Sequence, residues 1–161
     1  MRERHAAGTA RVGVLSSREL LLVGTALYAG EGTKRDGSVG FANSDARMVQ
    51  MFLYWLRSCF AIDESRLRLT LYLHQGLDLL VANHHWSAAT GIPLAQFRKL
   101  YRALPDPSIR RSKHPMGCAS VVYSSSAIHR EIVGMRDALL SSSPAALGCG
   151  STPTQPGTDP G

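Results

Sequence analysis

Residues 66–74 read RLRLTLYLH, and this stretch decides the fold. Every second residue in it is a leucine: Leu67, Leu69, Leu71 and Leu73. The residues between them are cationic or hydrogen-bonding: Arg66, Arg68, Thr70, Tyr72 and His74. Successive side chains of a β-strand point to opposite faces of its sheet. The stretch therefore predicts a strand with one apolar face and one polar, positively charged face.

The chain before this strand predicts a helix, a hairpin and a second helix. Ser16, followed three residues later by Glu19, forms a capping-box pattern that opens a helix over residues 17–30. Asp36-Gly37 is a turn signal between short extended stretches at 32–35 and 38–43. Ser44 then precedes an apolar stripe at helical spacing, which predicts a helix that packs into the core.

The chain after the strand predicts two helices and a further strand. A helix over 77–90 ends at Gly91, and residues 92–114 are expected to be largely loop. Residues 116–124 suit a strand, and Ser125 or Ser126 begins a last helix. The expected order is αββαβαβα, an α+β domain with helices on one face of a mainly antiparallel sheet and the other face open.

Length and composition indicate one domain. The 161 residues, 44% of them hydrophobic, suffice for one ordinary core, which we place at residues 16–140. Residues 1–15 lack a sustained periodicity of hydrophobic residues, and residues 141–161 are rich in Ser, Thr, Pro and Gly. Both segments are therefore expected to be disordered tails. Three cysteines without a CxxC pair favour a reducing cytoplasm, and the apolar run at 20–30 is too short for a membrane span.

The positive charge is concentrated in one segment. The formal net charge is +6, and residues 92–114 supply +5 of it from six basic side chains and one acid. A surface that binds duplex DNA requires positive charge, which attracts phosphates, beside a polar strand face. RNA remains an alternative ligand, because it carries the same phosphates. The expected DNA contacts are Arg66, Arg68, Thr70, Tyr72, His74, Arg98, Lys99, Arg102, Arg110 and Arg111.

An acidic residue between two glycines ends the first predicted helix. Residues 24–32 read GTALYAGEG, in which Gly24, Ala26 or Ala29, and Gly30 are small enough for two helices to approach closely. Glu31 lies at the negative end of the helix dipole, so a compensating cation or metal is expected beside it. The glycines follow a helix and no Gly-Lys-Ser/Thr is present, so a nucleotide cofactor is not expected.

With this motif, the chain resembles the LAGLIDADG homing endonucleases over residues 17–140. Residues 24–32 lie over the nine-residue family motif, with Leu27 and Gly32 matching and Glu31 in the acidic position. The resemblance implies that motif helices pack together at a dimer interface and that Glu31 binds a divalent metal, Mg²⁺, beside the scissile phosphates. One motif per chain implies a homodimer. Lys113 or Lys34 is the basic residue that would assist catalysis.

Three functions stay open at this point. The first is a Mg²⁺-dependent endonuclease acting on double-stranded DNA as a homodimer. The second is a non-catalytic DNA-binding regulator on the same fold, in which Glu31 only packs or caps. The third is an interaction protein whose basic segment meets an acidic partner protein, with little affinity for DNA.

Overall fold

The structure, a computed structural model, describes residues 1–33, 35–74, 76–99, 101–102 and 115–142. The helices are α1 Arg2–Val12, α2 Ser17–Glu31, α3 Ala46–Cys59, α4 Leu79–Thr90 and α5 Ser126–Ser141. The strands are β1 Ser38–Asn43, β2 Leu67–Leu73, β3 Tyr101–Arg102 and β4 Cys118–Ser124. Short 3₁₀ turns at Glu64–Arg66 and Leu94–Gln96 precede β2 and follow α4.

The strands form a mixed sheet in the order β1-β4-β2-β3. The central strand β4 is antiparallel to both β1 and β2, and Phe41, Val121 and Leu69 lie side by side across the three strands. The two-residue β3 adds a parallel edge to β2. The sheet is therefore mainly antiparallel, as the sequence predicts.

The leucine face of β2 forms the core. Its four leucines are at most 2% exposed, and they share one hydrophobic cluster with side chains from α2, α3, α4 and α5. Trp55 of α3 and Trp86 of α4 are fully buried in this cluster. All four helices that bury side chains thus lie on the leucine side of the sheet, which confirms the predicted α+β class.

Side-chain caps fix where the helices begin. Ser16 and Glu19 form the predicted capping box at the start of α2, with the Glu19 carboxylate accepting from the Ser16 backbone N–H at 2.7 Å. Asp45 caps α3, although Ser44 was the predicted cap, and Asp78 and Ser125 cap α4 and α5. Satisfying the free N–H groups of a first turn stabilises a helix by about 1 kcal/mol.

The element order departs from αββαβαβα in three places. The described residues of the expected strand 32–35 form no strand: their pairing consists of a bridge from Gly32 to Phe41 and a hydrogen bond from Thr33 to Gly40. Strand β3 lies inside the expected loop, where Phe97, Tyr101 and Arg102 pair along the edge of β2. Helix α1 covers most of 1–15, where a disordered tail was expected. It buries no residue, so only its own backbone hydrogen bonds and helix-forming residues support it.

Among the described residues, no single helix combines the length and the apolar character needed to cross a membrane. Helices α1 and α2 meet those criteria only when taken together, and the chain bends by 112° between them.

Candidate nucleic-acid interface

The sheet face opposite the helices is polar and accessible. We call its accessible part the open face, and it comprises Ala42, Arg68, Thr70, Tyr72, Cys118, Ser120, Val122 and Ser124. Ser38 and Gly40 of β1 lie on the same side of the sheet but are buried. The open-face side chains are half-buried or exposed, whereas their neighbours along each strand are buried in the core, apart from Asn43 at the end of β1. None of the described residues in β1, β2 and β4 is acidic. The face therefore presents hydroxyl groups and positive charge with no carboxylate among them.

Arg68 lies on the open face near the start of β2, and Arg66 lies just before the strand, in the 3₁₀ turn. The Arg68 guanidinium donates to the backbone carbonyls of Ser65 at 2.6 Å and Leu67 at 2.7 Å. The Arg66 guanidinium lies 5.2 Å from the centre of the Tyr123 ring and donates to the Ser124 carbonyl. Among the described residues neither arginine forms an ion pair, so backbone carbonyls orient both charges without neutralising them.

The other predicted contacts of β2 follow along the same strand. Thr70 is half-buried between Ser120 on β4 and the edge of the sheet, and Tyr72 is 44% exposed. His74 is half-buried and lies one residue beyond the strand. Arg68, Thr70 and Tyr72 thus form one row on the open face, as the alternation predicts.

Part of the basic segment lies beside this row. The backbone N–H of Arg98 donates to the Leu69 carbonyl at 2.7 Å, and both Arg98 and Lys99 are exposed. The backbone of Arg102 pairs with Leu73 in β3. The remaining predicted basic residues fall outside the described residues: Lys34, Arg110, Arg111 and Lys113.

A polar pocket at one corner of the open face escaped the sequence analysis. It encloses about 180 Å³ and is lined by Arg35, Asp36, Gly37, Ser38, Arg98, Val122 and Ser124. The sequence gives one signal for it, namely Arg35 next to the Asp36-Gly37 turn. The position of Arg98 in the pocket lining follows only from the pairing of its segment with β2.

Glu31 lies at the end of α2, next to the edge of the sheet. It is exposed and is the last residue of that helix. Two residues later the Thr33 backbone N–H donates to the Gly40 carbonyl at 2.9 Å, so the chain passes from the helix layer to the edge of β1. The Glu31 carboxylate is therefore accessible to solvent beside the β1 edge.

The donor set tests whether a metal fits at Glu31. Within the described ranges, no group of three or more His, Cys, Asp and Glu side chains is placed to hold a metal ion. Mg²⁺ takes one or two carboxylates and completes its shell with water and phosphate oxygens. One Glu31 meets that requirement in part, and a second Glu31 from another chain would complete the pair.

The outward side of α2 is apolar and built from small residues. Leu22 and Val23 are 38% and 43% exposed, and Ala26 and Gly30 are exposed on the turns that follow. A Cβ added at Gly30 would meet no atom within 4 Å. We call this surface, formed by Leu22, Val23, Ala26 and Gly30, the α2 face, and among the described residues it is uncovered.

Comparisons with known proteins identify no relative. No family model matches the chain, and neither curated proteins nor solved structures yield a match.

Proposed function

We propose that this protein binds double-stranded DNA through its open face. The observation that carries the proposal is a sheet surface that the described helices leave uncovered, lined by arginine and hydroxyl side chains and free of carboxylates on its strands. Arginines supply the phosphate attraction that dominates affinity for DNA. Threonine, serine and tyrosine hydroxyls can donate to and accept from base edges in the major groove.

The proposed DNA-binding unit is a homodimer formed through the α2 face. Exposed apolar and small residues on α2 suit close contact with a second helix of the same kind. A twofold axis would pair the two open faces, and such a dimer would read a roughly palindromic site. The expected compartment is the cytoplasm, because bacterial LAGLIDADG-type proteins, which this chain resembles, would bind DNA there.

Salt dependence of DNA binding tests the first part of the proposal. Fluorescence anisotropy would measure the affinity for a labelled duplex library over a range of salt concentrations. Affinity should fall steeply with salt, and Lys99→Gln should reduce the logarithmic slope by about 0.9 for one lost phosphate contact. The matched control is Arg130→Gln, because Arg130 is exposed on α5 in the helix layer and should leave the slope unchanged.

Two results of this assay would contradict the proposal. A wild-type affinity that does not respond to salt would exclude binding led by phosphates. Equal slopes for Lys99→Gln and Arg130→Gln would move the contact surface away from the open face.

The same measurement with labelled RNA and with an acidic protein tests the other classes of partner. Binding of RNA but not of duplex DNA, or binding only to an acidic protein, would overturn the proposal.

Cleavage of the bound DNA is the second candidate function, and the exposed Glu31 carboxylate at the end of α2, next to the edge of β1, favours it. In a dimer, two Glu31 carboxylates would hold Mg²⁺, which stabilises negative charge on the phosphate oxygens during hydrolysis. The test is to incubate a supercoiled plasmid library with protein and Mg²⁺, using wild type and Glu31→Gln. Cutting by wild type alone would support a nuclease. DNA binding without cutting by either protein would leave the non-catalytic regulator.

A further inference from the structure

The polar pocket at the corner of the open face has the charge and shape of an anion site. It lies where β1 begins and β4 ends, and Ser38 and Ser124 are direct partners in the strand register. Arg35 reaches it from the turn before β1, and Arg98 reaches it from the segment beside β2. Two arginines that are distant in sequence therefore converge on one cavity of about 180 Å³.

Both arginines have free charge for a ligand. Arg35 and Arg98 are exposed, and within the described part of the chain neither forms an ion pair. Both arginines line the same pocket, so a bound anion would be attracted by two positive charges. Guanidinium groups bind phosphate oxygens in a paired geometry, which gives strong charge-assisted hydrogen bonds.

Among the described residues of the lining, Asp36 is the one carboxylate. Asp36 Oδ1 accepts the Gly37 backbone N–H at 2.8 Å and lies 3.2 Å from Nδ1 of the buried His129 on α5, with no hydrogen bond between those two atoms. The Asp36 side chain is 91% exposed, so its charge offsets one of the two arginine charges. The described lining, with two arginines and one aspartate, keeps a net charge of +1.

The rest of the lining suits an oxyanion. Ser38 is 8% exposed, so its hydroxyl is held in a nearly buried position against the open face. Ser124 contributes a second hydroxyl directly opposite, and Val122 is the only apolar side chain among the described residues of the lining. An apolar ligand would find almost no surface to cover here, whereas a phosphate group would find two cations and two hydroxyl donors.

We infer that this pocket, formed by Arg35, Ser38, Arg98 and Ser124, binds a phosphate group. The inference rests on the proposed function for the source of that group, which is a backbone phosphate of the DNA lying on the open face. Phosphate contacts fix the register and orientation of a protein on a duplex and carry no base information. The pocket therefore anchors DNA at one corner while the row on β2 lies over the bases.

An NMR titration tests the pocket without DNA. Inorganic phosphate is added to ¹⁵N-labelled protein, and the backbone amides of Gly37, Ser38 and Ser124 should shift in a saturable way. The double variant Arg35→Gln/Arg98→Gln should weaken this binding by about tenfold or more. Arg130→Gln is the matched control and should bind phosphate as the wild type does. Both pocket arginines are exposed, so thermal unfolding should show that the double variant folds normally.

The same variants with duplex DNA separate this inference from the proposed function. If DNA binds while the Gly37 and Ser38 amides stay unmoved and the salt slope of the double variant equals that of wild type, the pocket inference is overturned and the open face stands. If inorganic phosphate binds at the pocket while DNA does not bind, the pocket stands, its phosphate comes from a small molecule and the proposed function fails. No response to either probe overturns both.

Discussion

The indole ring of Trp55 occupies the space beside Gly24, so that a Cβ on Gly24 would overlap the ring. Trp55 is fully buried on α3, and its ring also lies 6.0 Å from that of Tyr28, one turn further along α2. The first glycine of the GTALYAGEG motif therefore packs α2 onto α3 within the chain. Gly30, six residues later, faces open space and is available to a second chain.

This difference between the two glycines predicts opposite effects on stability. Gly24→Ala should lower the free energy of unfolding by about 1–3 kcal/mol, because the added methyl group overpacks the core. Gly30→Ala meets no atom and gains helix propensity, so it should be neutral or raise that free energy by up to about 1 kcal/mol. Urea denaturation of both variants checks the prediction. Equal stabilities would show that Trp55 moves aside at no cost.

The two buried tryptophans differ in their hydrogen bonding. Trp86 Nε1 donates to the Met116 carbonyl at 2.7 Å, whereas Trp55 Nε1 has no partner among the described residues. Trp86→Phe should therefore leave the carbonyl of the half-buried Met116 without this donor and cost about 1 kcal/mol more than Trp55→Phe, which removes an unpaired donor. Both substitutions leave similar cavities, so their difference in unfolding free energy isolates the hydrogen bond. A larger loss for Trp55→Phe would contradict this reading.

Periodicity and capping made most of the fold predictable. The alternation in residues 66–74 gave β2 to within one residue at each end, because one face of that strand is fully buried. Capping residues and glycines indicated helices α2 to α5 but not α1, and α2 was expected at 17–30 and is found at Ser17–Glu31. The row Arg68, Thr70 and Tyr72 follows from the same alternation. These features depend on contacts that are local in sequence or on a two-residue period.

The features that escaped prediction depend on tertiary pairing. Strand β3 is two residues long and exists only beside β2, so no periodic signal announces it. The corner pocket brings Arg35 next to Arg98, and nothing in either local sequence indicates the other. The small residues of the glycine motif were expected to let two helices approach closely, without indicating which two helices. Only the structure separates the intrachain role of Gly24 from the open position of Gly30.

Self-association through the α2 face gives a further prediction. Val23→Glu places a charge on this exposed apolar surface and should shift the protein from dimer to monomer in sedimentation velocity. Because Val23 is 43% exposed, the fold itself should tolerate the change. Leu80→Glu on α4, where the side chain is 70% exposed, is the matched control and should leave the sedimentation coefficient unchanged. A monomeric wild type at DNA-binding concentrations would remove the twofold arrangement.

The N-cap of α3 makes stability depend on acidity. Hydrogen bonds from the Arg47 guanidinium, and then from the Arg47 backbone N–H, lower the pKa of Asp45 from 3.8 to about 2. The guanidinium lies 2.6 Å from the carboxylate. A carboxylate with a lowered folded-state pKa stabilises the fold above its unfolded pKa and loses that contribution as the pH falls through the folded value. This contribution should therefore disappear between pH about 4 and pH about 2.

Asp45→Asn isolates this contribution, since asparagine still caps a helix but carries no charge. The variant should be less stable than wild type at pH 7, and the difference in unfolding free energy should shrink as the pH falls from about 4 to about 2. Arg47→Gln keeps the carboxylate and its backbone bond but removes the guanidinium, so it should lose most of the same pH dependence. A constant difference across this range for both variants would mean that the exposed ion pair is fully screened and that the cap acts through its hydrogen bond alone.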